Sequence, residues 1–523
     1  MHPRRTTWVL AAIPALLGVF LAACGGSSTG DSGGKAATAA TGGTLTVAMP
    51  SGITTLNPIQ NGTGLPNQVF LQPAYDSLII RSPSGQLQPE LATAWSYTDD
   101  NKQFHMTLRS GVKFSDGEPL TAKGVANWIM WFKTNNGLFS SRFADVQSVT
   151  VNGPLKLTMN LSQSDAAWPS SFVQDRYGFV VCPKGIANPK MLGTQTCGAG
   201  PYVLSPSQTV SGTKYVYTPN KYYWNKSAVH WKEIVVEAIT NPNSVIAAMS
   251  SGQVQVAVGS SQTASAAKGA GLSIVTAPEL WNSLEVLDRG ATAPLNNVKV
   301  RQALEYAVNR AVVTKAVFGQ YAQPNTSMLV PGLPGYSASE GSQYNYDPAK
   351  AKSLLAQAGY PHGFTVTIMS WNRNGLENTL AQAIVPYYNA IGVHLKLQII
   401  PPTSSQIVSD LLAKDWPAFI FFGQAEAPNL LTQEQLLPTS GVLNPYKYVD
   451  KPLITMYNNY NAAQGTAAQE KVLEQMQSYI DDQAYYITYS VSDTIYYHTS
   501  NVTGVDVSSG EPILNLYTLK PAS

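Results

Sequence analysis

From Thr44 onward two apolar periods take turns along the chain. Thr44-Leu45-Thr46-Val47-Ala48 alternates with period two, the mark of a strand with one buried face. Phe104–Leu108 reads as a second strand, followed by a turn-rich link from Gly111 to Gly117. Thr121 stands where an N-cap opens a helix over Ala122–Lys133. From Asn297 to Phe318 the apolar residues Val300, Ala303, Leu304, Ala307, Val308, Ala311 and Val312 fall at helical spacing. Asp347-Pro348 starts another helix, Ala349–Ala358, with Gly359 just past its end. Strand Phe364–Met369, helix Glu377–Ile391 closed by Gly392, and strand Val393–Ile400 complete the reading. Such irregular alternation predicts an α/β protein with mixed sheets.

Ahead of Thr44 the pattern changes. Arg4 and Arg5 precede an apolar run, Trp8 to Leu21, that is too short to span a bilayer and ends in Leu21-Ala22-Ala23-Cys24-Gly25. That order predicts a signal peptide over residues 1–23. Its end resembles the bacterial lipobox, which implies that Cys24 carries the lipid and becomes the first mature residue. The Arg-Arg pair alone is a weak signal for twin-arginine export. Residues 24–43 are almost wholly Gly, Ser, Ala and Thr, a composition with little to bury and much backbone entropy to lose, so a flexible tether is expected. No later apolar run is long enough to cross a membrane.

Composition narrows the partners. A chain of 523 residues exceeds one core and predicts two or three domains or lobes. Charged residues make up 12% and the formal net charge is +2, which argues against nucleic acid or anionic lipid as a partner. The 27 Tyr and 10 Trp fill cores for the most part, and a minority are candidates to line a ligand cleft. With Cys24 lipidated, Cys182 and Cys197 remain as an even pair in an exported protein. A disulfide between them would close a loop of about fifteen residues and add roughly 3 kcal/mol on the chain-entropy model. A zinc site is the alternative, although it needs further ligands and histidine is scarce.

Several segments carry a resemblance. Pro89-Glu90-Leu91-Ala92-Thr93-Ala94-Trp95, then Leu108-Arg109-Ser110-Gly111-Val112-Lys113-Phe114-Ser115-Asp116-Gly117 and Leu120-Thr121-Ala122, resembles the signature of the family 5 extracellular solute-binding proteins of peptide and nickel ABC importers. Gly198–Tyr202, Asn220–Trp224, Val300–Leu304 with Asn309-Arg310, and Tyr346–Tyr360 match in the same order. Most of these residues read as structural: Trp95, Phe114 and Trp224 pack cores, and Arg109 and Arg301 form ion pairs or cap carbonyls.

The resemblance implies a two-lobed periplasmic-binding-protein-like fold with an extra inserted domain and a hinge between lobes. Lobe I would be residues 44–86, 198–285 and 496–523, the inserted domain 87–197, and the opposing lobe 286–495. It also implies a monomer on the outer face of the bacterial cytoplasmic membrane, attached through its lipid alone. There it would close on a small-molecule or peptide ligand and deliver it to the permease subunits of an ABC importer, with no cofactor and no chemistry.

The peptide binders of that family carry an aspartate, in a Trp-x-Ala-Asp-Tyr segment, that pairs with the ligand's α-ammonium. Here the matching stretch is Phe421-Phe422-Gly423-Gln424-Ala425-Glu426-Ala427-Pro428, so Gln424 replaces that aspartate and Phe421 the tryptophan. An amide cannot neutralise a buried ammonium. Glu426 takes over if the loop is shifted by two residues. Otherwise a neutral, hydroxyl-rich ligand such as an oligosaccharide gains weight. The candidate ligand contacts are Thr63, Gly64, Leu65, Trp281, Asn282, Trp371, Asn372, Phe421, Phe422, Gln424 and Glu426.

Rival classes find less support. His105, His230, His362, His394 and His498 show no metal-ligand spacing, which argues against nickel held by the protein. Ser110-Gly111-Val112-Lys113 is an S-x-x-K as in penicillin-recognising serine enzymes, but it falls in the solute-binding signature and its companion motifs are absent. A secreted hydrolase is therefore the remote alternative. A chaperone-like or signalling lipoprotein on the same scaffold is a third.

Overall fold

The computed structural model describes residues 42–60, 67–82, 86–135, 140–173, 177–371, 376–400, 411, 413–424, 428–438, 443–507 and 513–522. One mixed sheet of eleven strands organises the molecule. At one edge strands Val393–Ile400 and Phe364–Trp371 pair in parallel over their whole lengths, and Ala418–Gln424 follows. At the other edge lie Tyr202–Leu204, Lys214–Pro219, Trp231–Ala238 and Gly42–Met49, the last two in parallel register from Gly42 opposite Trp231 to Met49 opposite Ala238. The middle is held by two long antiparallel strands, Ser273–Val286 and Tyr486–His498.

The apolar cores sit on either side of that middle. The first gathers Leu45, Val47, Tyr75, Phe104, Trp128, Phe172, Tyr217 and Val236, with Leu514 to Leu519 from the end of the chain. The second gathers Leu284, Val286, Val300, Leu304, Ile368, Ile384, Val393, Ile420 and Phe422. Against the first core lies a separate four-stranded antiparallel sheet: Ala92–Thr98, Gln103–Leu108, Lys156–Leu161 and Val146–Gly153. Its strand Gln103–Leu108 alternates half-buried and buried along its length, so its apolar face fixes the register.

The helices start where the caps place them. Thr121 Oγ1 accepts from Gly124 N at 3.1 Å to open Ala122–Thr134. Asp347 Oδ1 accepts from Lys350 N at 2.8 Å to open Pro348–Gln357, and Gly359 beyond its end takes φ +91°. The continuous helical spacing across Asn297–Phe318 is broken in the fold into Val298–Ala307 and Arg310–Phe318. Val308 is extended, and Asn309 caps the second helix by accepting from Val312 N at 3.2 Å. The break lets Arg310 turn back: it pairs with the buried Glu305 carboxylate and donates to the carbonyls of Thr488 and Tyr344 at 2.7 and 3.1 Å. A cap and a buried ion pair outweigh the propensity of Val308 to continue.

Cys182 and Cys197 are joined by a disulfide, with Cα atoms 5.5 Å apart. Cys182 also opens the short helix Pro183–Ala187.

Candidate functional site

The two long middle strands are the structural centre of the site because each serves both cores. On Ser273–Val286, Ala277 belongs to the first core and Leu284 and Val286 to the second. On Tyr486–His498, Ile487 and Tyr489 belong to the second core and Tyr496 to the first. Their β-branched and aromatic content suits a strand buried on both faces. Between the cores the ladder is irregular, with register shifts between Pro278 and Leu280 and between Asn282 and Ser283. Pro278 cannot donate to the ladder, and each extra residue bends and twists the ribbon locally.

Asn282 fills the second irregularity. It is fully buried, and its Nδ2 lies 3.0 Å from both Ser490 Oγ and Ser492 Oγ, 3.3 Å from Ser490 O and 3.3 Å from Leu280 O. The short strand Ala322–Pro324 pairs with Ser490–Ser492 from the far side and seals the network. A residue expected to meet ligand thus has both its amide hydrogens engaged by the strands themselves.

Its neighbour Trp281 lies on the other face, fully buried, edge-on to Phe421 at 5.4 Å and to Tyr486 at 5.0 Å. The ring is accommodated because Gly423 faces it across the ladder: a Cβ there would stand 2.0 Å from Trp281 Cζ2. Phe421 is half-buried, whereas Phe422 points the opposite way into the second core, 5.8 Å from the Phe318 ring. Tyr486 donates to Gln435 Oε1 at 3.0 Å. Trp281, Phe421, Gly423 and Tyr486 therefore form one aromatic floor beside the end of strand Ala418–Gln424.

Gln424 is the last residue of that strand, its backbone opposite Leu280, and Trp371 ends the strand Phe364–Trp371 opposite Ile400. Thr63, Gly64, Leu65, Asn372 and Glu426 lie outside the described residues. Sequence reasoning missed Ser490, Ser492 and Tyr486. Their signal was available in the Tyr- and β-branched-rich run from Tyr486 to His498, which reads as a strand.

A buried carboxylate lies further along strand Ser273–Val286. Glu285 is completely buried, neither oxygen has a hydrogen-bond partner, and burial pushes its pKa up to about 8 against the opposing pull of Arg289.

The signature residues prove to be framework. Arg109 Nε donates to Glu90 O at 2.8 Å while its guanidinium stacks 4.1 Å from the Trp224 ring, and Trp224 Nε1 donates to Asp76 Oδ2 at 2.9 Å. Arg301 caps the carbonyls of Gln483 and Leu295 at 2.7 and 2.9 Å. Ser110 is exposed in a turn, and Lys113 Nζ lies over the Tyr222 ring at 5.9 Å. Among the described residues the one gathering of metal-ligating atoms is Asp116, Cys182 and Cys197, and its two sulfurs are bonded to each other.

Residues 86–435 match the model of the bacterial extracellular solute-binding proteins, family 5 (Middle). The chain belongs to that family. A glutathione-binding protein, GsiB of Salmonella paratyphi A, is 28% identical over 362 residues, covering 68% of this chain and 69% of that protein. Two solved structures share the fold with a TM-score of 0.78. One is AgaA from A. tumefaciens R10 with agropinic acid, 20% identical and covering 92% of this chain and 99% of that one. The other is the oligopeptide-binding protein AppA of Bacillus subtilis with a nonapeptide, 18% identical and covering 93% and 100%. This family 5 protein accordingly has the two-lobed α/β architecture of periplasmic binding proteins, and it is an extracytoplasmic solute-binding protein.

Proposed function

We propose that this protein captures a peptide or peptide-like solute by closing its lobes about strands Ser273–Val286 and Tyr486–His498, and hands it to the permease of an ABC importer. The observation that carries the reading is the pair of strands shared by two cores and irregular between them. Two crossings act as a hinge, and a solute that touches both sides stabilises the closed form by its differential affinity. The glutathione-binding relative supports a peptide-like solute. The lobes are 44–86, 198–285 and 496–523 against 286–495, with 87–197 inserted. Cys24 anchors a monomeric chain to the membrane by its lipid.

The solute seats against the aromatic floor at Phe421 and the end of the strand at Gln424, with Trp371, Asn372, Glu426 and the Thr63–Leu65 loop around it. Trp281, fully buried within that floor, backs the Phe421 ring, and Asn282 acts through the hinge. Gln424 also favours a second reading, a neutral polar solute such as an oligosaccharide, because an amide pairs with hydroxyls and leaves an ammonium unneutralised.

A thermal-shift panel on the full chain separates the two: reduced glutathione, free peptides of several lengths, their N-acetylated forms, and oligosaccharides. A solute at about a hundred times its Kd adds about 2.7 kcal/mol. A shift with free peptides lost on N-acetylation supports the first reading and a carboxylate such as Glu426 at the amine. A shift with sugars alone replaces it with the second.

A further inference from the structure

The two long strands are not the only place where distant parts of the chain meet, because the four-stranded sheet also touches helix Lys451–Ala462. The hairpin joining Ala92–Thr98 to Gln103–Leu108 has three consecutive left-handed residues, Asp99, Asp100 and Asn101, with φ of +55°, +50° and +63°. Such a run is costly for residues other than glycine, and asparagine tolerates it best. It is held by Lys102 N donating to Asp99 O at 2.9 Å and by Asp165 N donating to Asn101 O at 3.2 Å. The turn aims the buried Asn101 side chain at the end of helix Lys451–Ala462, some 360 residues away in sequence. There Nδ2 donates to Asn461 O at 2.9 Å and to Ala463 O at 3.3 Å. These carbonyls, at a helix end, lack intrahelical partners, so the amide caps them.

Beside that contact, Ala167 packs in one apolar cluster with Tyr457, Tyr460 and Trp281. Beneath it, Arg142 pairs with Asp165, stacks 3.8 Å from the Trp168 ring and donates to Ser171 Oγ at 2.9 Å. Its second terminal nitrogen is buried without a partner. Burial, then the nearby Asp165 charge, push the hydroxyls of Tyr457 and Tyr460 up. The contact region therefore combines apolar burial of the two tyrosines with a buried polar nitrogen that has no partner. Opposing terms of that kind suit a contact that opens and closes, not a permanent weld.

We propose that Asn101 is a latch: it fastens the four-stranded sheet to helix Lys451–Ala462 in the closed form, so that closure is held by protein contacts remote from the solute. The inference rests on the reading that this protein closes over its solute, and it names a second determinant of that equilibrium. Asn101→Gly removes the two hydrogen bonds and leaves the left-handed turn unstrained. Asn101→Asp keeps the turn but sets a carboxylate against carbonyls at the negative end of a helix.

Hydrogen–deuterium exchange by mass spectrometry on the full chain in detergent, with no solute added, is the test. Exchange in the segments 166–172 and 457–463 is expected to rise about fivefold for Asn101→Gly and further for Asn101→Asp, with helix Ala122–Thr134 unchanged. Unchanged exchange in both facing segments for both variants overturns the latch. A rise spread equally over Ala122–Thr134 also overturns it, because Asn101 then supports the fold and not a closing contact. A parallel arm with reduced glutathione bears on the solute alone: a rise for Asn101→Gly without protection by glutathione leaves the latch standing.

Discussion

Asn282 Nδ2 lies 3.0 Å from Ser490 Oγ, across the two strands that both cores share and at the point where their register slips. That hydrogen bond ties the irregular part of the strand pair to one geometry. An asparagine in this place reads from sequence as a ligand contact, and in the fold it is a fastener.

Asn282→Ala leaves Ser490 and Ser492 without their shared donor in a sealed site. Stability is expected to fall by about 1–3 kcal/mol, read as a lower denaturant midpoint at unchanged slope. Ser490→Ala in the same background should add less than it does alone, because the two share one network.

Gly423→Ala places a methyl group where the Trp281 ring stands. Displacing the ring from its contacts with Phe421 and Tyr486 should cost about 1–3 kcal/mol and alter tryptophan emission. An unchanged midpoint and spectrum would show that the floor is loosely packed.

Glu285 makes stability depend on pH. Its folded pKa of about 8 stands above the unfolded value of 4.5, so the native state binds more protons between those values. Its contribution is complete below pH 4.5 and is lost as pH rises toward 8, with a slope of up to about 1.4 kcal/mol per unit. Arg289 and Tyr486 are the charged and titratable groups facing it. Glu285→Gln should flatten the wild-type decline in denaturant midpoint over that window.

Serine at both Cys182 and Cys197 removes the link that closes their loop, with an expected loss of about 3 kcal/mol. Thermal unfolding of the double variant, and of the wild type with and without reductant, measures it.

How much of this was legible depends on whether the signal was local. Caps such as Thr121 and Asp347, and the strand Val393–Ile400, follow from a few adjacent residues and are placed where the pattern puts them. The helix break at Val308 was not legible from spacing, because it rests on Arg310 reaching Glu305 and Thr488, and Thr488 lies far along the chain. The family was legible from collinear framework residues such as Arg109, which stacks on Trp224, and Arg301, which holds backbone carbonyls. The candidate site was legible only as a neighbourhood. Alternation along Ala418–Gln424 separates Phe421 from Phe422, but which one faces the core depends on the sheet's other face. The network of Asn282 needed the pairing partner, Tyr486–His498, some 200 residues away.

Calorimetric titration of the full chain with reduced glutathione and with a free tripeptide, each beside its N-acetylated form, tests the central claim most directly. The account predicts saturable one-to-one binding of a free peptide-like solute, weakened at least tenfold by N-acetylation. Binding confined to sugars, or peptide binding indifferent to N-acetylation, would contradict it.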